Sequence, residues 1–89
     1  MNRYYWTGVA HGQRSEALQQ VREIAGRHAA IVQFQFFSDM AFGLVLEVDA
    51  GHTLNLYTEL AAVLTLEPAA PATADECIVM LNVTFISTH

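Results

Sequence analysis

An α+β fold, one sheet with two helices on one of its faces, is predicted by three observations. Six periodic runs follow one another in the order strand, helix, strand, strand, helix, strand, and they occupy nearly all of the 89 residues. Four runs are strand-like, mostly alternating, and two repeat apolar residues every three or four positions, the signatures of a half-buried strand and an amphipathic helix. Gly12, Gly51 and both prolines fall in the gaps between runs, where turns are needed.

Residues 3–10, Arg-Tyr-Tyr-Trp-Thr-Gly-Val-Ala, are rich in aromatic and β-branched types and end at His11-Gly12-Gln13-Arg14, which predicts a strand and a loop. Ser15 is a suitable N-cap and Glu16 suits the first helical turn. Leu18, Val21, Ile24, Ala25 and His28 then form one stripe of a helix over 16–28, with Gln19, Gln20, Arg22, Glu23 and Arg27 on its other side. Residues 30–38 set Val32, Phe34 and Phe36 against Gln33 and Gln35. Residues 42–49 set Leu44, Leu46 and Val48 against Val45, Glu47 and Asp49. A tight connection around Asp39-Met40-Ala41 would make these a hairpin with Phe36 opposite Leu44, Phe34 opposite Leu46 and Val32 opposite Val48. A one-residue slip would pair apolar with polar positions.

Gly51-His52-Thr53 interrupts the third strand, and Thr53 can cap a second helix over 54–65 carrying Leu56, Tyr57, Leu60, Ala61, Val63 and Leu64. Pro68 and Pro71 make 67–75 a loop. The last run, 76–87, is apolar on both sides: Cys77, Val79, Leu81, Val83 and Phe85 on one, Ile78, Met80, Asn82, Thr84 and Ile86 on the other. Two interlocked strand-helix-strand crossovers of this kind give a single domain spanning 1–89, a ferredoxin-like βαββαβ sandwich. Its sheet is four-stranded and antiparallel in the order 4-1-3-2, with both helices on one face. Residues 11–14, 38–41 and 67–75 would meet at one end, and His28, Asp49, His52, the N-terminus and His89 at the other.

The composition narrows the function. A net charge of −5, with four arginines and no lysine, leaves no basic face for phosphates, so nucleic acid is not expected. No apolar stretch approaches the roughly 18 residues of a membrane span. The N-terminal residues lack the pattern of a signal peptide, and Cys77 has no disulfide partner, so a cytoplasmic protein is expected. With 53% hydrophobic and only 15% charged residues, so small a domain has apolar surface to spare. A homodimer is expected, through the open sheet face or through the last strand as a bare edge, with a small-molecule ligand as a further occupant. The open face is expected to carry Gln33, Gln35, Phe37, Val45, Glu47, Met80, Asn82 and Thr84, with Tyr5 and Thr7 at one of the two parities that the first strand allows.

The element order, the size and the stretch Gly43-Leu-Val-Leu-Glu-Val-Asp49 leading into a helix resemble ACT domains, small modules that sense amino acids and pair into dimers. The resemblance spans the chain. It implies a non-catalytic, dimeric domain that binds an amino acid or similar small anion near the turn after the first strand. That family typically carries a Gly after an Asp-x-Pro step there, and His11-Gly12-Gln13-Arg14-Ser15-Glu16-Ala17-Leu18 departs from it. The dimeric α+β barrels, among them small monooxygenases and isomerases, share the topology and imply instead an enzyme with a cavity over the sheet. A structural subunit without a ligand is a third reading.

Three sets of residues are candidates for chemistry. His11, Gly12, Gln13 and Arg14 join a strand end to a helix start, whose free N–H groups suit an anion, and Arg14 can add a bidentate contact. Glu47, facing Gln33 on the open sheet face, is a candidate base once shielded, with His11 as its companion. His28, His52 and Asp49, with His89, are metal-ligand types at the other end, but no tight ligand spacing supports a site, and neither metal nor cofactor is expected. Cys77 is expected to be a buried, inert thiol, and Trp6, Tyr4, Tyr5 and the phenylalanines to serve core or interface packing and not a ligand cage.

Overall fold

Alternation along the strands sets one apolar layer beneath two amphipathic helices. The computed structural model, which describes residues 2–68 and 75–86, contains β1 (Asn2–His11), α1 (Arg14–His28), β2 (Ala29–Ser38), β3 (Ala41–Val48), α2 (Thr53–Ala61), β4 (Thr65–Glu67) and β5 (Cys77–Ile86). Trp6 and Ala10 of β1, Phe42, Leu44, Leu46 and Val48 of β3, and Cys77, Val79, Leu81, Val83 and Phe85 of β5 form one core with Val21, Ile24 and Ala25 of α1 and Leu56 and Leu60 of α2. The α+β class and the two helices on one face are as the periodicity predicts. Removing each of the larger core side chains from water is worth about 1.5–3 kcal/mol. Trp6 adds an edge-to-face contact with Tyr57, ring centres 5.2 Å apart.

The sheet differs from the expected one in strand count and order. It has five strands in the order β2-β3-β5-β1-β4 and is mixed, because β5 runs parallel to β1. The last strand is therefore central and not an edge, so the expected dimer contact through its bare edge is not available. The physical reason lies in its composition: a strand apolar on both sides is best placed where both backbone edges are paired and one face lies in the core. Its buried row Cys77, Val79, Leu81 and Val83 does so. Its ten-pair ladder to β1 runs from Asn2↔Cys77 to His11↔Ile86. Without β5, the remaining strands stand in the order β4-β1-β3-β2.

The place expected for the last strand is taken by β4, which pairs antiparallel to β1 through Thr7↔Glu67, Gly8↔Leu66 and Val9↔Thr65. The second helix ends at Ala61, earlier than expected, so residues 65–67 become free to pair. Gly8 allows this approach: a Cβ there would lie 2.9 Å from Leu64 Cδ1 and 3.3 Å from Leu66 Cδ2.

The hairpin forms, but its register is shifted. Phe34 faces Leu44, Phe36 faces Phe42 and Ile31 faces Leu46, with irregularities between Ile31 and Gln33 and between Phe36 and Ser38. The Ser38↔Ala41 closure leaves only Asp39 and Met40 in the turn, and the extra residues Val32 and Phe37 are absorbed as bulges. Phe34 and Phe36 keep the face that the alternation assigns them. Val32, expected opposite Val48, is instead exposed beside Ile31.

Both expected caps are displaced by one or two residues. Gln13 precedes α1 and His52 precedes α2, neither with a side-chain cap bond, while Thr53 is buried with its Oγ1 3.3 Å from Cys77 Sγ. Because β5 begins beside Asn2 and ends beside His11, the chain re-enters the sheet at the end bearing His28 and His52. The described flanks of the 67–75 loop, Glu67 beside Thr7 and Cys77 beside Asn2, thus lead away from residues 11–14, with which the loop was expected to group. Residues 69–74 and His89 lie outside the described residues.

Candidate functional site

The helix-free face is built from cross-strand rows. One row runs Gln33, Val45, Met80, Tyr5; the next runs Gln35, Gly43, Asn82, Thr7; a third runs Ala30, Glu47, Ile78, Arg3. Tyr5, 65% exposed, and Phe37, 57% exposed, stand at the sides of an open groove of about 190 Å³ whose floor is Val45, Met80 and Gly43. Gln33, Gln35 and Asn82 supply its polar groups, and no acidic or basic side chain lines it. The three amides make no side-chain hydrogen bond among the described residues, so their donors and acceptors are left to water or a ligand.

Phe37 is the extra residue of the second bulge, and its ring lies over β3 on this face. A Cβ on Gly43 would lie 2.7 Å from Phe37 Cζ, 2.8 Å from its Cε2 and 3.0 Å from Asn82 Oδ1, so the ring rests directly on the glycine. The floor of β3 is lowered where the aromatic wall leans on it. Sequence reasoning placed Phe37 on this face but did not see the contact. No spacing in the sequence signals the bulge, because Phe36 and Phe37 fall on opposite faces of a regularly alternating strand.

Glu47 stands on the helix-free face. It pairs with Ala30 and Ile78, not with Gln33, is exposed, and lies one row away from the groove. The register shift moves it there. His11 lies at the far end of β1, beside Ile86, and is exposed. His11, Gly12, Gln13 and Arg14 do form the strand-to-helix loop at the start of α1. The Arg14 guanidinium lies 5.7 Å from the ring centres of both Phe36 and Phe85, and Arg22 lies 5.3 Å from that of Phe34. These arginines cover aromatic faces at the β2 side of the core.

At the opposite end, His28 and His52 are brought together, ring centres 6.0 Å apart. His28 bonds Glu59 of α2 through Nε2, and Arg27 donates to the same carboxylate at 2.7 Å. Arg27, followed by His28, holds the Glu59 carboxyl below its ordinary range. Glu59, which sequence reasoning did not single out, thus ties the two helices together. Among the described residues no group of three or more His, Cys, Asp or Glu is arranged to hold a metal ion, and no helix is long and apolar enough to cross a membrane. Asp49 contributes its backbone carbonyl to the turn before α2, accepting from the His52 N–H at 3.1 Å.

Comparison with family models, with curated proteins and with solved structures finds no match to this chain.

Proposed function

We propose that this chain is a non-catalytic binding domain on a ferredoxin-like frame with an inserted central strand, and that it works as a homodimer closed over the helix-free face. The observation that carries this reading is the groove: two exposed aromatic rings and an apolar floor, rimmed by amides and lacking any carboxylate, histidine or cationic side chain. Such a lining binds and orients a molecule but offers no general base or charged electrophile. The same class, a dimeric small-molecule binder, is implied by the resemblance to ACT domains. The groove is preferred to the His11–Arg14 loop because Arg14 is already engaged with Phe36 and Phe85.

A second copy suits this face in area. Four long strands spaced about 4.8 Å apart and about nine residues in length cover roughly 550 Å² in projection, and side-chain relief brings this near the roughly 800 Å² per partner of a standard interface. The rival surface, the uncharged edge of β2, is interrupted by its two bulges, which leave only a short regular stretch for pairing. Sedimentation at micromolar concentration tests the dimer: the expected mass is twice the 9.8 kDa of the chain. Met80→Glu, on the half-buried centre of the face, should return it to the single-chain mass with the fold intact. A wild-type chain that sediments at 9.8 kDa overturns the reading.

A further inference from the structure

We infer that the groove on the helix-free face takes an uncharged, planar, single-ring aromatic or heteroaromatic molecule bearing a carboxamide or an equivalent adjacent donor and acceptor. This deepens the proposed binding function and rests on it for the closing of the site by a second copy. Size is the first argument. At about 190 Å³ the open groove is comparable with the roughly 150 Å³ of a cavity that holds benzene, so a single substituted ring is of a size to lie in it.

Shape and chemistry agree with this. The Phe37 ring, seated on Gly43, and Tyr5 across the floor offer aromatic surfaces to a flat ligand, while Val45 and Met80 offer an apolar and polarisable bed. Gln33, Gln35 and Asn82 reach the groove from two neighbouring rows and two strands, β2 and β5. Each side chain has both N–H donors and a carbonyl acceptor, the complement of another amide. Charge is the last argument. No cation in the lining would compensate a carboxylate or phosphate, and the chain as a whole carries −5, so an anionic ring would lose its hydration without a partner.

Nicotinamide and nicotinate test this directly, since they share a ring and differ in charge, and benzamide with benzoate repeats the comparison without the ring nitrogen. Added to the isotope-labelled chain, the two amides should shift the side-chain NH₂ resonances of Gln33, Gln35 and Asn82 and saturate. The two carboxylates should bind at least tenfold more weakly. Asn82→Leu, at an exposed position that leaves the core untouched, should weaken amide binding several-fold. Equal or stronger binding of the carboxylates overturns the inference, as does the absence of groove shifts with the amides at tens of millimolar. Sedimentation of the same samples separates the two claims: a monomer that still selects the amides upholds the ligand and removes the dimer, whereas a dimer that binds none of the four removes the ligand alone.

Discussion

Gly8 and Gly43 both stand in strand interiors, where glycine usually weakens a sheet, yet the same substitution should act differently on them. At Gly8 a new methyl meets Leu64, which is itself buried and has nowhere to turn. Gly8→Ala should therefore cost about 1–3 kcal/mol in chemical denaturation. At Gly43 the methyl meets Phe37, whose ring is half exposed and free to swing outward, so stability should change by less than about 1 kcal/mol while the groove loses one wall. Glu59 gives a pH signature. Its carboxyl is held below its ordinary value of 4.5 by Arg27 and His28, so its stabilising contribution is present above that value and is lost as pH falls through the lowered one. Glu59→Gln should melt slightly below the wild type at about pH 5.5, and the gap between the two should close as the pH is lowered through the range in which Glu59 takes up its proton.

At the scale of elements, β2 and β5 carry the architecture. β2 is ten residues without a charge, glycine or proline, and it is an edge, which is a composition that invites pairing with other chains. The bulges at Val32 and Phe37 twist that edge out of regular register. Deleting Val32 would bring Ile31 and Gln33 into consecutive pairing with Leu46 and Val45. The expected outcome is a folded chain that self-associates beyond the dimer, read by sedimentation or light scattering. β5 supplies the centre of the core, so Leu81→Ala should cost about 2–5 kcal/mol, whereas Leu54→Ala on exposed α2 surface should stay within about 0.5 kcal/mol. Strand and helix types were legible because period is a local property. Caps and ends were less so: Ser15 and Thr53 are good capping residues by type, but Thr53 is drawn into the core beside Cys77.

For the whole molecule, the parallel ladder between β1 and β5 joins the two ends of the chain, pairing residues 75 apart from Asn2↔Cys77 to His11↔Ile86. A chain stopped at residue 76 would leave β1 and β3 with unpaired inner edges and remove five side chains from the core. It should show no cooperative thermal transition, whereas loss of an edge strand would leave the transition in place at a lower temperature. This outcome discriminates the central strand from the edge strand that the element order predicts.

The sequence by itself determined the α+β class, the two helices on one face and which side of β3 and of β5 meets the core, because polarity at period two or near 3.6 encodes facing, whereas the facing of β1 was left to tertiary packing. It also placed Phe37, Met80 and Asn82 on the open face. Only the tertiary structure decided which strand is central, since an apolar two-sided run satisfies an interface and an interior equally well until pairing partners compete for it. Tertiary contacts likewise set the hairpin register, where a two-residue turn and two bulges outweighed the simplest alternation, and with it the distance of Glu47 from the groove. The groove exists for the same reason: the ring of a bulge residue comes to rest on a glycine of the next strand, a contact that no spacing along the chain expresses.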